Sequence, residues 1–238
     1  MISNDQIKII SNQQGIDEFS VLREYIQVLF LSILYTQTEG QKVFFKGGTA
    51  IRLLFFPARY SEDLDFFSEQ EFNIQDIITI LKSMKKDLKY LKLDINTSFN
   101  RNIFFLKFKK EFLKVEFTYF PFPQIEIPKR KNNIKIDSLL DIAVNKLFTI
   151  YQKPRSRDFI DLFMINTCLK IKIAKLIKYA KIKFDWHIDP ITLGTQFKQV
   201  NKLKDYPNLR KPIHHKKWKD YFLKEANKLK KNIFKNAS

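Results

Sequence analysis

Apolar side chains in the first half of the chain follow two periods, one typical of helices and the other typical of strands. Between residues 17 and 35 they recur three or four positions apart, which predicts a helix, and residues 73–88 show the same pattern. A further helix is predicted over 49–55, where Pro57 stops it. Short alternating or continuously apolar runs predict strands, and these runs lie at 43–46, 63–67, 90–97, 103–109 and 112–119. The first half is therefore predicted to be an α/β unit.

The second half of the chain shows the helical period alone. Its predicted helices cover residues 137–152, 156–169, 171–182, 190–200 and 216–234. The stretch from 121 to 137 contains three prolines and a run of basic side chains, and this composition predicts a linker. We therefore predict an α+β protein with two domains, an α/β domain over 1–130 and a basic helical domain over 131–238.

The charge of the chain is distributed unevenly. The formal net charge is +18, and residues 1–136 carry 20 basic and 16 acidic side chains, whereas residues 137–238 carry 23 and 9. Cationic surfaces attract polyanions through counterion release, so a nucleic acid is the first expected partner of the second half. An anionic membrane surface, an acidic protein and a surface that serves solubility alone remain alternatives.

The sequence predicts a cytoplasmic protein without a membrane span. No apolar run approaches the roughly 20 residues that a membrane-spanning helix needs. The first residues lack the basic start and apolar run of a secretory signal, and the single cysteine, Cys168, can form no internal disulfide. Cys168 lies in an apolar helical pattern, which predicts a position in the core.

A pair of glycines separates the predicted strand 43–46 from the helix that follows it. At Gly47 and Gly48 the backbone can approach a phosphate closely, and the helix N-terminal amides and the Thr49 hydroxyl can then meet the phosphate charge. The spacing excludes a P-loop, which has four residues between its glycines before a Lys-Ser/Thr pair. Taken alone, the pair of glycines is a weak signal.

Two carboxylates stand two positions apart on the predicted strand 63–67. Because side chains alternate along a strand, Asp63 and Asp65 point to one face, whereas Leu64 and Phe66 enter the core. Adjacent carboxylates repel each other unless a divalent cation neutralises them, and Mg²⁺ held together with substrate phosphates suits such a site. An exposed turn or strand end is the alternative for an isolated pair. The position shortly after a glycine turn favours two-metal phosphoryl transfer.

These motifs and two later ones resemble the AbiEii-type abortive-infection toxins, a family of DNA-polymerase-β-like nucleotidyltransferases. The matching residues are Lys46-Gly47-Gly48-Thr49-Ala50-Ile51-Arg52-Leu53, Arg59-Tyr60-Ser61-Glu62-Asp63-Leu64-Asp65-Phe66, Lys146 and Arg157-Asp158-Phe159-Ile160-Asp161-Leu162. The resemblance covers roughly residues 40–165. It implies a polymerase-β-like mixed sheet with flanking helices, followed by a C-terminal helical bundle.

The resemblance also implies roles for individual residues. The implied catalytic residues are Asp63, Asp65, Lys146 and Asp161. The implied nucleotide-binding residues are Lys46, Gly47, Gly48, Thr49, Arg59, Ser61, Arg157 and Asp158. Metal ions would be held by Asp63 and Asp65, with Glu116 on the strand 112–119 as the candidate third carboxylate. Glu116 shares its face with Lys114 and Thr118, so a solvated face is the alternative.

Three of these residues are also unusual for their places on predicted helices. Lys146 lies in the middle of an apolar helix face, where an ammonium group must extend to water, pair with a carboxylate or bind an anion. The resemblance implies contact with nucleotide phosphate, and an ordinary salt bridge is the alternative. Asp158 and Asp161 stand three positions apart on the next helix and share its apolar face. Asp158 would also suit a first helical turn beside Arg155, whereas Asp161 is harder to explain as a cap.

The expected activity is transfer of a nucleoside monophosphate from a nucleoside triphosphate to RNA, with Mg²⁺ or Mn²⁺ as cofactor. By resemblance, the first-choice acceptor is the 3′ end of tRNA, and a cognate antitoxin protein is an expected partner. Two alternatives stay open. The nucleotide could be transferred to a protein side chain, or the protein could bind nucleotides or nucleic acid without turnover.

Overall fold

The computed structural model describes residues 2–57, 59–109, 111–210 and 213–236, with the backbone alone for 231–236. Within these ranges the chain forms two compact units, and each unit is assembled from separate stretches of sequence. The first unit consists of Met1–Ala50, Ser61–Pro121 and Pro128–Ile136. The second unit consists of Ile51–Tyr60, Phe122–Ile127 and Asp137–Ser238.

A mixed sheet of seven strands forms the first unit. The strands are β1 (Phe44–Lys46), β2 (Leu64–Ser68), β3 (Lys92–Ser98), β4 (Arg101–Lys107), β5 (Phe112–Tyr119), β6 (Lys129–Lys131) and β7 (Ile134–Ile136). Their order across the sheet is β3-β4-β5-β2-β1-β7-β6. The β2–β5 and β1–β7 pairs are parallel, and the other pairs are antiparallel.

Helices accompany this sheet in the first unit. They are α1 (Asn4–Gln14), α2 (Glu18–Leu34), α3 (Gly47–Ala50), α4 (Ile74–Ser83) and α5 (Lys85–Leu88). Helix α2 begins where the Asp17 carboxylate accepts a hydrogen bond from the Ser20 N–H group. It buries Phe30 against Phe66, with ring centroids 6.1 Å apart, and Phe66 stacks on Phe117 at 4.9 Å. These rings form the centre of the core, because all three are fully buried.

Helices make up most of the second unit. A π-helical turn (Ile51–Phe55) continues the chain from α3, and the later helices are α6 (Leu139–Gln152), α7 (Ser156–Leu169), α8 (Ile173–Phe184), α9 (Pro190–Lys198) and α10 (His215–Asn236). Their core is aromatic, since the Phe159 ring lies 4.7 Å from that of Phe222 and 6.1 Å from that of Trp218. A mixed sheet with flanking helices and a C-terminal helical region confirms the predicted fold class.

Two predictions about local structure were wrong. Residues 129–131 and 134–136, expected in a linker, form a hairpin that extends the sheet. Its turn is made by Asn132 and Asn133, which both have positive φ angles, 49° and 65°, and asparagine tolerates this conformation better than most residues. Cys168, expected in the core, is exposed because it lies in the last turn of α7.

The described helices include none that is both long enough and apolar enough to span a membrane.

Truncation of the central ring of the sheet core should destabilise the protein strongly. Phe66 lies within 6.4 Å of four other aromatic rings, those of Phe30, Tyr35, Phe45 and Phe117. We expect Phe66→Ala to lower the free energy of unfolding by about 3–5 kcal/mol, measured by urea denaturation. The matched control is Phe99→Ala, because Phe99 is fully exposed and its loss should change stability by less than about 0.5 kcal/mol. Equal effects of the two substitutions would contradict this account of the core.

Candidate active site

Charged side chains form a row across three adjacent strands of the first unit. Lys46 pairs with Asp65 in the antiparallel β1–β2 register, and Asp65 pairs with Glu116 in the parallel β2–β5 register. Paired residues in neighbouring strands point to the same face of the sheet, so these three side chains share one face. The opposite face carries the fully buried Leu64 and Phe66. The sequence-based alternation of this strand is therefore confirmed.

The glycine turn packs directly against the Asp65 carboxylate. Gly47 has a φ angle of 81°, and a Cβ atom added to it would overlap with Oδ2 of Asp65. A side chain at this position would therefore be both strained and sterically excluded. The buried Thr49 hydroxyl donates a hydrogen bond to the carbonyl oxygen of Asp63 at 2.5 Å. The turn and the acidic strand are thus fixed to each other through two separate contacts.

Basic side chains neutralise two of the three carboxylates on this face. Lys114 Nζ lies 3.0 Å from Oδ2 of Asp63 and 3.6 Å from Oε2 of Glu116. Arg101 donates two hydrogen bonds of 2.7 Å each to the two oxygens of Glu116, which is the bidentate geometry that guanidinium groups favour. Among the described residues, Asp65 alone of the three carboxylates accepts no hydrogen bond and forms no ion pair.

The electrostatics of Asp65 reflect this position. Burial raises the pKa of Asp65 above its ordinary value, the nearby charge of Lys46 opposes the rise, and the carboxylates of Glu116 and Asp63 add to it. For Glu116, burial also raises the pKa, but the hydrogen bonds and charge of Arg101 outweigh it, so that its pKa is lowered. The ionised form of Asp65 is therefore less favoured than in an ordinary aspartate, whereas the ionised form of Glu116 is more favoured than in an ordinary glutamate.

The chemistry of this face fits a hard divalent cation. Asp63 and Asp65 present carboxylate oxygens on one side of the sheet, and the Asp65 carboxylate lies against the backbone of Gly47. The described part of the chain contains no group of three or more histidine, cysteine or acidic side chains placed to hold a metal ion together. A cation here would need oxygens from a bound phosphate as further ligands, and the three-carboxylate set with Glu116 stays a prediction.

The remaining residues predicted for this face have defined surroundings. The Lys46 ammonium group lies over the ring of Phe67 and 5.2 Å from the centroid of Phe120, so the lysine is positioned by cation–π contacts. Ser61 is partly buried, and its carbonyl oxygen accepts a hydrogen bond from the Gln27 amide at 3.2 Å. Gln27 also donates to the carbonyl of Glu62 at 2.8 Å. The buried Gln27 thus holds the backbone that leads into Asp63.

A second cluster of predicted residues lies in the helical unit. Arg59 binds Asp161 in bidentate geometry, with Nε–Oδ1 at 2.7 Å and Nη2–Oδ2 at 2.8 Å. Lys146 Nζ, on α6, lies 2.7 Å from Asp158 Oδ1 and 2.8 Å from Asp161 Oδ2 on α7. Arg155 Nε completes the network at 2.7 Å from Asp158 Oδ2. Both aspartates are almost fully buried, and the Lys146 side chain is only 12% exposed.

Mutual compensation fixes the charge states of this network. Burial alone would raise the pKa of Asp161, but Lys146 and Arg59 outweigh it and lower this pKa to about 2. Burial also opposes the charged form of Lys146, but the Asp161 and Asp158 carboxylates raise its pKa above the ordinary value. Asp161 and Lys146 are therefore ionised at neutral pH, and the loss of one basic group would leave a buried carboxylate with less compensation.

The two aspartates of α7 therefore lie inward, as predicted from the apolar face of their helix, and Lys146 forms the salt bridges that were the alternative to phosphate contact. Asp158 is also the first-turn residue beside Arg155. Arg157, by contrast, is exposed on α7. The predicted residues thus fall into one group on the sheet and another in the helical unit, and their catalytic and nucleotide-binding roles stay predictions.

Sequence reasoning missed Arg101 and Gln27. Gln27 had a detectable signal, since it lies three and four positions before the apolar Phe30 and Leu31 and so shares their face of α2. Arg101 had none, because its contact with Glu116 depends on the β4–β5 register, in which Arg101 pairs with Thr118.

Comparisons with known proteins relate this geometry to a family and a fold. Residues 29–234 match the family model described as "Nucleotidyl transferase AbiEii toxin, Type IV TA system". No match was found among curated proteins. The structure of JHP933 from Helicobacter pylori aligns with a TM-score of 0.60 and 18% identity, over 93% of this chain and 96% of that one. A candidate nucleotidyltransferase from H. pylori aligns with a TM-score of 0.64 and 18% identity, over 92% and 98%. At this identity, the two structures establish the fold alone.

Removal of the buried guanidinium group should be costly. Arg59→Met leaves Asp161 with Lys146 as its remaining ion-pair partner in the described network, so we expect a loss of about 3–5 kcal/mol in the free energy of unfolding. Arg157→Met is the control, because Arg157 is exposed and its loss should matter by less than about 0.5 kcal/mol. Denaturant unfolding at neutral pH measures both. Similar values for the two variants would show that the network does not stabilise the fold.

The depressed pKa of Asp161 predicts acid sensitivity. Its folded pKa of about 2 lies below the unfolded value near 3.9, so its stabilising contribution is present above the unfolded pKa and is lost as the pH falls through the folded one. We expect this contribution, about 2 kcal/mol, to disappear between roughly pH 5 and pH 2. Asp161→Asn should flatten the fall of the unfolding free energy over this range by that amount. A variant with the slope of the unsubstituted protein would refute the assignment.

Proposed function

The chain belongs to the AbiEii family of nucleotidyltransferase toxins, and from this premise we propose that it transfers a nucleoside monophosphate from a nucleoside triphosphate to RNA in a Mg²⁺- or Mn²⁺-dependent reaction. The observation that supports this proposal most directly is the contact between Gly47 and the unpaired Asp65 carboxylate. It brings a backbone turn that can receive a phosphate next to acidic side chains that can hold a cation.

The proposed reaction is a single displacement at the α-phosphorus. A hydroxyl oxygen of the acceptor forms a bond to the α-phosphorus, the bond from phosphorus to the bridging β-phosphate oxygen breaks, pyrophosphate leaves, and the hydroxyl proton passes to solvent. Asp63 and Asp65 would hold the divalent ions, which supply electrostatic stabilisation of the charge that develops on the phosphate oxygens. Lys46, which lies in the same row as Asp65, would bind triphosphate oxygens.

For the helical unit we propose a role in nucleotide binding. Lys146, Arg59 and Arg155 surround two aspartates, so the described network carries three positive and two negative charges. This excess of one positive charge supports an attraction for a triphosphate, with Asp161 and Asp158 holding the basic groups in place. Asp161 would then be a positioning residue for Lys146, and the exposed Arg157 would be available to a ligand from solvent.

RNA is the proposed acceptor because the cationic side chains concentrate in the second half. The excess of 23 basic over 9 acidic side chains in residues 137–238 favours a polyanionic substrate, and tRNA, with transfer to its 3′ end, is our first choice. The family description names a type IV TA system, so a cognate antitoxin belongs to the proposal, as does action in the cytoplasm.

Label transfer tests this function. The protein is incubated with each α-³²P-labelled triphosphate, Mg²⁺ and total RNA, and products are separated by gel electrophoresis. We expect one or more triphosphates to label an RNA of tRNA size, and Asp65→Asn to reduce this labelling on the order of a thousandfold, because the cation loses a ligand. Asp94→Asn is the control, since Asp94 lies on β3 and its ion-pair partners, Lys92 and Lys107, are not predicted site residues.

Two other outcomes would overturn RNA as the acceptor. Label that enters protein would establish protein nucleotidylylation instead. Triphosphate binding without any labelled product would indicate a binding protein without turnover. In both cases the Asp65→Asn variant separates effects of the candidate site from contamination.

A further inference from the structure

The Lys114 ammonium group lies where a metal cation could bind, between the carboxylates of Asp63 and Glu116. The β2–β5 register pairs Leu64 with Val115, so the preceding residues Asp63 and Lys114 lie side by side on the open face. The ammonium group is 3.0 Å from Oδ2 of Asp63 and 3.6 Å from Oε2 of Glu116, which places one positive charge between two carboxylates. A divalent ion that used the same oxygen of Asp63 would meet this charge at close range.

Of Arg101 and Lys114, the two basic residues that bind Glu116 and Asp63, Lys114 is the one suited to exchange. Arg101 holds both oxygens of Glu116 through a rigid fork, so its release would break two charge-assisted hydrogen bonds together. Lys114 makes one hydrogen bond to Asp63, and its ammonium group is a point charge on a flexible stem. Its side chain is 21% exposed, so the released group can be hydrated.

We propose that Lys114 is a resident counter-ion that competes with the divalent cation for Asp63 and thereby sets the metal affinity of the site. This inference rests on the proposed function. When the metal binds, the Lys114–Asp63 hydrogen bond breaks and the ammonium group moves into solvent or towards a bound phosphate. The free protein therefore binds metal weakly, and a triphosphate, which brings additional oxygen ligands, is needed for tight binding.

Mn²⁺ binding to the full-length protein without nucleotide tests this competition. Free Mn²⁺ is measured by its electron paramagnetic resonance signal, so the readout does not depend on enzymatic activity. We expect Lys114→Met to bind Mn²⁺ about tenfold more tightly than the unsubstituted protein, which corresponds to about 1.4 kcal/mol. Lys114→Arg, which keeps the charge, should retain the weak affinity of the original. Lys114→Gln serves as a second neutral variant if the methionine variant does not fold, which thermal unfolding checks.

Lys107→Met is the matched control for net charge. Lys107 lies on the neighbouring strand β4 and binds Asp94 at 2.6 Å instead of Asp63, Asp65 or Glu116, and its loss should change Mn²⁺ affinity by less than about twofold. Neutral Lys114 variants that bind Mn²⁺ no more tightly than Lys107→Met would overturn the proposal.

The Asp65→Asn substitution in the Lys114→Met background separates this inference from the function on which it rests. If it weakens Mn²⁺ binding, the ion occupies the candidate site and the comparison of the lysine variants decides the role of Lys114. If Mn²⁺ binding is unchanged, the ion lies elsewhere, and the proposed metal site fails together with the inference.

Discussion

The repulsion between carboxylates on one face of the sheet is the constraint on which the candidate site depends. Asp63, Asp65 and Glu116 lie on adjacent strands whose opposite face is fully buried, so strand alternation leaves these side chains no other direction. Lys114 and Arg101 compensate two of them, whereas Asp65 accepts no hydrogen bond and forms no ion pair among the described residues. A fold normally avoids a carboxylate of this kind, because the loss of its hydration lowers the stability of the fold. Its presence beside a glycine turn is therefore better explained by function than by stability.

In the helical unit, by contrast, the buried carboxylates are paired with basic side chains. Asp158 and Asp161 are almost inaccessible, yet each carboxylate contacts two basic groups at 2.7–2.8 Å. The loss of one basic member leaves a buried carboxylate with a single partner in a medium that solvates charge poorly. The two contacts of its ammonium group restrict the Lys146 side chain to a narrow range of rotamers. The same contacts therefore serve the stability of the unit and the orientation of the side chain that we propose to bind a triphosphate.

The sequence predicted those features that depend on neighbours along the chain. Alternation in 63–67 was enough to place Leu64 and Phe66 in the core and both aspartates on the other face. The helical period around Lys146 was enough to show that its ammonium group must reach water, a carboxylate or an anion, and the same period predicted that Asp158 and Asp161 lie inward. A buried lysine between apolar neighbours carries this information locally, because the helical repeat alone determines which residues share its face.

Only the tertiary structure decided which partners meet across the sheet and between helices. Arg101 reaches Glu116, and Lys114 reaches Asp63, through strand registers that link residues 15 and 51 positions apart. The hairpin at 129–136 was predicted to be a linker, because proline and lysine are typical of linkers. Its two short strands are stabilised by pairing with each other and with the sheet, which the local sequence does not show. The contact of Gly47 with Asp65 also depends on the pairing of distant segments, because β1 and β2 bring the two residues together. Local periodicity determined the faces of this protein, whereas the pairing of distant segments determined which charges on those faces are neutralised.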